Sequence, residues 1–172
     1  MAIMWQGKYL EVHLEGTWEY AARRRAIGAA VILAVTDANE IVLVEQWRVA
    51  MKAPTIELPA GLIGDEQDGE AAATSAAREL KEETGFTAAT FEDLGEYATS
   101  AGMSSERFSL FAARGLVRTG PGGGVAEENI VTHVVPIAAL HDFLAERRAA
   151  GCVIDCRLFV ALGFVASAVI AA

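Results

Sequence analysis

Residues 64–86 read GDEQDGEAAATSAARELKEETGF, and this stretch indicates both a fold and a chemistry. Three of its carboxylates, Glu79, Glu82 and Glu83, stand at positions i, i+3 and i+4. On a helix that turns about 100° per residue, these side chains lie on one narrow face. Because like charges at this spacing repel each other, the pattern favours a divalent cation between them. Clustered carboxylate oxygens are typical ligands of Mg²⁺ or Mn²⁺.

A second periodicity in the same stretch predicts the helix itself. Small and apolar residues recur at helical spacing and predict a face that packs on a sheet: Ala73, Ala76, Ala77, Leu80 and Thr84. Gly85 is expected to end the helix in the left-handed conformation, with Phe86 closing it. Arg78, four residues before Glu82, is expected to steady the acidic cluster by a charge-assisted hydrogen bond. The alternative is a solvated acidic helix, which composition alone favours.

The complete spacing resembles the Nudix box. Gly64 is followed by five residues and Glu70, then by seven residues and the run from Arg78 to Phe86, and every defined position matches. Nine specified positions over 23 residues make this a specific signal. The resemblance to Nudix hydrolases implies an α/β fold, an α/β/α sandwich with a mixed central sheet, and one domain over residues 1–172.

The flanking sequence resembles one branch of that family, the ADP-ribose pyrophosphatases and nucleoside-diphosphate-sugar hydrolases. The segments that carry this resemblance are EQWR (45–48), ELPAG (57–61), SER (105–107) and EENI (127–130). In this branch the first box glycine belongs to the Ala60-Gly61 pair, so either Gly61 or Gly64 fills that position. The branch usually has a Ser-Pro-Gly turn where this chain has Ser100-Ala101-Gly102. ADP-ribose, GDP-mannose and ADP-glucose therefore all stay open as substrates.

The catalytic and metal-binding roles follow from the chemistry and from the resemblance. Glu79, Glu83 and Glu82 are expected to hold two or three Mg²⁺ or Mn²⁺ ions, and the resemblance adds the backbone carbonyl of Ala60 as a ligand. Glu82 and Arg78 belong to the predicted catalytic group. The resemblance places the base on the loop after the glycine-rich run 120–124, which we expect to be mobile, and either Glu128 or Glu127 is that base.

The expected substrate contacts are Trp18, Tyr20, Arg48, Glu57 and Glu106. Arg48 is assigned to the phosphates or the terminal ribose, while Glu57 and Glu106 either support the substrate or form structural salt bridges. Trp18 and Tyr20 share one face of a predicted strand, and they either stack on a purine or pack in the core. In the relatives the N-terminal strand pair, here about residues 5–24, crosses to the partner subunit, which implies a homodimer.

Composition narrows the possible partners. A net charge of −9 argues against nucleic acid and against anionic membranes. It allows a nucleotide substrate, because bound cations bring phosphate to carboxylates. Cys152 and Cys156 are expected to be core thiols, since the three histidines are scattered. Residues 1–8 lack a signal-peptide layout and the apolar segment 158–172 is too short to span a bilayer, so a cytoplasmic location is expected.

A reading along the chain predicts alternating elements. Strands are expected at 9–13, 17–24, 26–35, 41–46, 90–98, 107–113 and 129–135, with further helices near 137–149 and 157–171. Residues 56–58 are expected to lead into the loop before the acidic helix.

The function predicted from all of these features is metal-dependent hydrolysis of the pyrophosphate bond of ADP-ribose or a related nucleoside-diphosphate sugar. The products would be a nucleoside monophosphate and a sugar phosphate. Two alternatives stay open: a nucleoside triphosphate pyrophosphohydrolase of the same fold, and a non-catalytic nucleotide-binding module. The module would be expected to have lost Arg78 or one of the three helical glutamates, and all four are present.

Overall fold

Strands and helices alternate along the chain, broadly as the apolar runs predict. The computed structural model describes residues 1–24, 28–64, 69–125 and 128–166. Over these residues the strands are β1 (Ala2–Gln6), β2 (Leu10–Glu15), β3 (Trp18–Arg23), β4 (Ala29–Ala34), β5 (Glu40–Arg48), β6 (Ala53–Glu57), β7 (Ala60–Leu62), β8 (Phe86–Thr87), β9 (Thr90–Ala98), β10 (Arg107–Arg114), β11 (Val117–Arg118), β12 (Val131–Pro136) and β13 (Val153–Ile154). The helices are α1 (Ala72–Thr84), α2 (Leu140–Ala149) and α3 (Arg157–Ala166), with a 3₁₀ turn at Ile137–Ala139.

Two four-stranded sheets form the centre of the fold. One has the strand order β7-β4-β10-β9 and the other β12-β5-β6-β13. Each combines both pairing directions, since β10 is parallel to β4 and β13 is parallel to β6, while the remaining pairs are antiparallel. The predicted α/β sandwich with mixed sheets is confirmed.

Strand β4 has two covered faces, which explains its uninterrupted apolar sequence. Successive side chains of a strand point to opposite sides. One side packs with α1, in a cluster that includes Ala30, Ile32, Ala34, Ala76 and Leu80. The other side packs with α2 and α3, in a cluster that includes Val31, Leu33, Leu140, Leu144 and Leu158. Burying each large aliphatic side chain stabilises the fold by roughly 1.5–3 kcal/mol.

Helix α1 ends as predicted, but its buried face is rotated from the expected one. Gly85 is left-handed, with φ 75°, and its N–H donates to the Lys81 carbonyl at 2.9 Å. The buried residues of the helix are Ser75, Ala76, Leu80, Glu83 and Thr84, whereas Ala73 is exposed. The Ser75 hydroxyl is satisfied by donating to the Glu70 carboxylate at 2.6 Å. One of the three carboxylates, Glu83, is therefore part of the buried face.

The glycine-rich segment 120–124 is docked on the C-terminal end of α1 rather than projecting as a free loop. The N–H groups of Gly123 and Gly124 donate to the carbonyls of Glu83 and Glu82 at 2.9 and 3.0 Å. These carbonyls belong to the last turn of the helix and have no partner inside it. At Gly122, where φ is 71°, a Cβ would lie 2.5 Å from the Thr84 carbonyl carbon. Glycine is required here by both conformation and space.

The N-terminal strands form a separate antiparallel sheet with the order β1-β2-β3. Strand β1 has no counterpart among the predicted elements, because its side chains are all exposed and show no alternation. The sheet carries several exposed large apolar side chains, namely Ile3, Met4, Trp5, Tyr9, Leu10 and Trp18. Trp18 is 66% exposed, so it does not pack in the core as one alternative proposed.

Two predicted elements extend beyond the residues described. Residues 26–27 of the predicted strand 26–35 and residues 167–171 of the predicted C-terminal helix fall outside them. Within the described part of the chain, no helix has the length and apolar character needed to cross a membrane.

Candidate active site

A cleft of about 570 Å³ collects most of the predicted site residues. Its described lining comes from α1, from β4, β5 and β7, and from the end of β3. The segments before β10 and β12, the link after β13 and the start of α3 complete it. The charged side chains of that lining are Arg23, Arg48, Glu79, Glu83, Glu106, Glu128, Asp155 and Arg157. Chain segments that are far apart in sequence thus place four glutamates and three arginines around one cavity.

Glu83 is the most buried acid of the cleft, with 5% of its surface exposed. Its carboxylate accepts a hydrogen bond from the Ala60 N–H at 3.0 Å. Burial raises the pKa of Glu83 from 4.5 to about 8; the Ala60 hydrogen bond opposes this shift, and the charges of Glu79 and Glu128 add to it. Burial also raises the pKa of Glu79, against the opposing charge of Arg78. The ionised forms of both acids are therefore disfavoured until a positive charge approaches.

Gly61 makes room for the Glu79 side chain. A Cβ at residue 61 would overlap the Glu79 carboxylate, so glycine leaves the space that this side chain occupies. Gly64, the other candidate for the first box position, has φ 76° and lies in the turn that precedes the undescribed residues 65–68. Gly61 therefore lies beside a predicted metal ligand, Glu79.

Arg78 holds two of the helical carboxylates, as the spacing predicts. One of its terminal nitrogens donates to Glu79 at 2.8 Å and to Glu82 at 3.1 Å. Within the described residues, Glu82 is not part of the cleft lining, and 26% of its side chain is exposed. The structure therefore brings Glu79 and Glu83 into the cleft and leaves Glu82 at its outer edge, against Arg78.

Glu128 also borders the cleft, close enough to Glu79 and Glu83 to contribute to their raised pKa values. Its carboxylate accepts a hydrogen bond from the Val125 N–H at 2.8 Å. Gly124, the last residue of the docked glycine-rich segment, lies against the Glu128 side chain, which a Cβ at residue 124 would meet. Glu127, the alternative base, lies outside the described residues.

Arg48 lines the cleft, and Glu57 lies behind it. The guanidinium of Arg48 donates to both carboxylate oxygens of Glu57, at 2.6 and 2.7 Å. Glu57 is 1% exposed, and one of its oxygens also accepts from Arg157 at 2.9 Å. A carboxylate enclosed by two guanidinium groups has little access to a substrate. The geometry corresponds to the salt-bridge alternative for Glu57 and corrects its assignment as a direct substrate contact.

Glu106 borders the cleft in an ion pair with Arg23 of β3. Arg23 donates to one oxygen of Glu106 through Nε at 2.8 Å and through Nη2 at 2.6 Å. Both side chains are about one third exposed, so the pair can still meet a ligand. The N-terminal sheet is linked to the cleft through this contact.

Trp18 and Tyr20 lie at a second groove and not in the carboxylate cleft. This groove, of about 530 Å³, is lined by Glu15, Trp18, Tyr20, Ala101, Gly102, Ser104 and Ser105. It joins the aromatic face of β3 to the Ser100-Ala101-Gly102 turn. Within one chain, the predicted base-stacking residues are therefore separate from the predicted metal ligands.

Among the charged and thiol side chains of the cleft, four were not predicted as site residues, namely Arg23, Asp155, Cys156 and Arg157. Cys156 was expected to be a core thiol but is exposed, whereas Cys152 is buried as expected. A signal was present, since Asp155 and Arg157 are charged residues at the border of an otherwise apolar segment. The pairing of Arg157 with Glu57 depends on a contact across 100 residues, which spacing does not show.

A family model for the NUDIX domain matches residues 22–151. The chain belongs to the Nudix family. The Nudix chain is 38% identical over 104 residues to a methanol dehydrogenase activator of Bacillus methanolicus, an alignment that covers 60% of this chain and 55% of the relative. It is 33% identical over 119 residues to an ADP-ribose pyrophosphatase of Bacillus subtilis (strain 168), covering 66% and 63%. The chain thus spans less than two thirds of the length of either relative.

A solved structure supports the fold of this Nudix chain. A crystal structure described as an ADP compounds hydrolase superposes with a TM-score of 0.66, covering 84% of this chain and 80% of the other. The two sequences are 22% identical, so the similarity establishes the architecture alone.

Nudix hydrolases generally need divalent metal ions, and the donor chemistry of this cleft fits such ions. In the described part of the chain, no three or more histidine, cysteine or acidic side chains are grouped closely enough to hold a metal as they stand. Three of the acids that line the cleft are held by protein donors instead: Glu79 by Arg78, Glu83 by the Ala60 N–H and Glu128 by the Val125 N–H. Carboxylate oxygens with raised pKa values are nevertheless hard donors whose repulsion a cation would relieve.

Proposed function

We propose that this Nudix chain hydrolyses the pyrophosphate bond of ADP-ribose or a related nucleoside-diphosphate sugar. The products are a nucleoside monophosphate and a sugar phosphate. One observation carries the proposal: Glu79, Glu83 and Glu128 share a single cleft with Arg48. Acids alone would repel a diphosphate, and arginine alone would bind it without cleaving it. The ADP-ribose pyrophosphatase among the relatives supports the choice of substrate class.

Glu79 and Glu83 are the proposed principal metal ligands, joined by Glu82 and the backbone carbonyl of Ala60. Two or three Mg²⁺ or Mn²⁺ ions bound there would supply neutralisation of both phosphates and activation of water. Arg78 holds the carboxylates of Glu79 and Glu82 in place through its contacts with both. Glu82 reaches this group by a change of rotamer, since its side chain lies beside that of Arg78.

Glu128 is the proposed base, with Glu127 as the alternative on the same segment. A base must come within hydrogen-bond reach of the attacking water, directly or through a second water. The Glu128 carboxylate borders the cleft and would take up a proton at an oxygen that does not face the Val125 N–H. The glycine-rich segment, hydrogen-bonded to α1, holds this base near Glu79 and Glu83.

Arg48 is the proposed phosphate ligand, because 42% of its side chain is exposed and it lines the cleft. Glu106 is the proposed acceptor for a ribose hydroxyl, since carboxylates accept hydrogen bonds and Arg23 fixes its orientation. These two residues extend the site from the phosphates toward a sugar.

We also propose that the protein is a homodimer in which the N-terminal sheet, residues 2–23, lies against the partner. Exposed apolar side chains on this sheet, including Trp5 and Trp18, favour burial in an interface. In such a dimer, Trp18 and Tyr20 of one subunit would stack on the base of a nucleotide held in the other. Residues 1–172 would then form one domain, and nucleotide-sugar substrates favour a cytoplasmic location.

The proposal is tested by measuring kcat/KM for ADP-ribose, GDP-mannose, ADP-glucose and ATP with Mg²⁺ or Mn²⁺. At least one diphosphate sugar should be cleaved with higher kcat/KM than ATP, and EDTA should abolish turnover. Preference for ATP would support the triphosphate alternative. Nucleotide binding without any turnover would support the non-catalytic module.

A further inference from the structure

A chain of four alternating charges runs along one wall of the cleft. Arg48 bonds both oxygens of Glu57, Arg157 bonds Glu57 at 2.9 Å, and Arg157 also bonds Asp155 through Nε and Nη2 at 2.5–3.0 Å. The four residues come from β5, β6, the link after β13 and the start of α3. Three separate parts of the fold are thus joined at Glu57.

Glu57 needs both arginines because it is 1% exposed. A buried carboxylate without sufficient compensation is costly, and removing one partner leaves charge uncompensated. The hydrogen bonds of Glu57 raise the pKa of Arg48. Burial acts to raise the pKa of Asp155, but the hydrogen bonds and charge of Arg157 outweigh it and hold that pKa below its ordinary value. Each charge in the chain therefore depends on the next.

The two arginines differ in what they can offer a ligand. The side chain of Arg48 is 42% exposed, whereas that of Arg157 is 18% exposed and donates to two acids. A guanidinium holding two carboxylates has fewer donors left for a phosphate than one holding a single carboxylate. Arg48 is thus the better placed of the two to bind a ligand, and Arg157 is better placed to hold Glu57 and Asp155.

We propose that Arg157 is a positioning residue which, through Glu57, orients the Arg48 guanidinium for the phosphates of the substrate; this rests on the function proposed above. Arg157 also balances the charge of the wall. With Arg157 present, the formal charges of Arg48, Glu57, Asp155 and Arg157 sum to zero. Without it, two acids face one arginine in a cleft that already contains Glu79, Glu83 and Glu128, and an anionic substrate is repelled.

A double-mutant cycle separates positioning from direct binding. Kinetics with ADP-ribose and Mg²⁺ are measured for Arg48→Ala, for Arg157→Ala and for the double variant. Because Arg157 acts through Arg48, the single Arg157→Ala change should raise KM about 5- to 20-fold, and the double variant should be little worse than Arg48→Ala alone. Arg107→Ala is the matched control, since its ion pair with Glu96 is exposed. It should leave KM unchanged.

A second measurement does not depend on catalysis. The Nε–H resonance of Arg48, assigned by its absence in Arg48→Ala, is followed by NMR in the ligand-free protein. It should shift and exchange faster with solvent in Arg157→Lys, which keeps the charge but loses the forked geometry. Asp155→Asn should cause a smaller change in the same direction. These two variants also serve if Arg157→Ala does not fold.

The results distinguish a positioning role of Arg157 from direct phosphate binding and from a purely structural role. If the KM increase of the double variant equals the product of the two single increases, Arg157 binds phosphate independently of Arg48. That result would overturn the proposal. A lower melting temperature with unchanged KM and an unchanged Arg48 resonance would show a purely structural role, and would overturn it as well. If the wild type cleaves no diphosphate sugar, the proposed function fails. The NMR measurement then still shows whether Arg157 orients Arg48.

Discussion

Replacing Glu83 by glutamine should separate what this carboxylate does for catalysis from what it does for stability. Glu83 is 5% exposed, and burial with neighbouring acids raises its pKa from 4.5 to about 8. In the metal-free protein the folded state therefore disfavours the ionised form. Glutamine has nearly the same shape, keeps an oxygen for the Ala60 N–H and carries no charge.

The size of the effect follows from linkage. For an acid whose pKa is raised on folding, stability is fully present below the unfolded pKa and is lost as pH rises toward the folded pKa. Between pH 4.5 and pH 7 the loss is about 1.4 kcal/mol per pH unit, or about 3 kcal/mol in all. Without metal, Glu83→Gln should thus be more stable than the wild type at pH 7, by up to about this amount.

The assay is urea unfolding in EDTA at pH 5, 6, 7 and 8. The free energy of unfolding of the wild type should fall more steeply with pH than that of Glu83→Gln, and Mg²⁺ should raise it more in the wild type. Glu96→Gln, on an exposed carboxylate, is the control and should follow the wild type. A glutamine variant that is less stable than the wild type at pH 8 in EDTA would refute the reasoning.

The same substitution should nearly abolish turnover while the fold persists. A metal ligand contributes several kcal/mol to transition-state stabilisation, and each 1.4 kcal/mol is tenfold in rate, so kcat should fall by about three orders of magnitude. Near-normal turnover of metal-loaded Glu83→Gln would remove Glu83 from the metal site.

Three further predictions concern other parts of the chain. Gly122→Ala should lower both the melting temperature and kcat, because a Cβ at residue 122 meets the backbone at the end of α1. The control Gly163→Ala should change neither, because the space around Gly163 is open. Equal behaviour of the two variants would contradict the docking of segment 120–124 on α1. Ala101→Pro should increase the ratio of kcat/KM for ADP-ribose to kcat/KM for GDP-mannose. Residue 101 is the second residue of a turn that the Met103 N–H closes by donating to the Ser100 carbonyl, and proline is favoured at that position. An unchanged ratio would count against this prediction. Iodoacetamide should alkylate the exposed Cys156 quickly and the buried Cys152 not at all, and ADP bound in the cleft should protect Cys156. Mass spectrometry measures the extent of alkylation at each cysteine, and faster alkylation of Cys152 would contradict this prediction.

Much of the framework could be predicted because local pattern and tertiary packing agree there. The spacing of Glu79, Leu80 and Glu83 specified a helix with an acidic edge, and Gly85 marked its end. The apolar run of β4 indicated a strand covered on both faces. Strand β1 was missed because its exposed side chains leave no periodic signal; pairing with β2 defines it instead.

The candidate site was harder to predict where it depends on distant contacts. Spacing on one helix predicted that Glu79 and Glu83 share a face, and both line the cleft, but it could not show that Glu82 would lie against Arg78 and outside the described lining. The burial of Glu57 depends on Arg157, which is 100 residues away along the chain. The glycine-rich segment looked mobile by composition, yet its N–H groups complete the last turn of α1.

The most direct test of the central claim is to identify which bond of ADP-ribose is broken. The purified protein is incubated with ADP-ribose and Mg²⁺, and the products are separated by ion-exchange chromatography and identified by mass. We expect AMP and ribose phosphate in equal amounts, with none formed in EDTA. Release of ADP with free ribose would contradict hydrolysis of the pyrophosphate bond in this cleft, and so would a failure to cleave ADP-ribose, GDP-mannose and ADP-glucose alike.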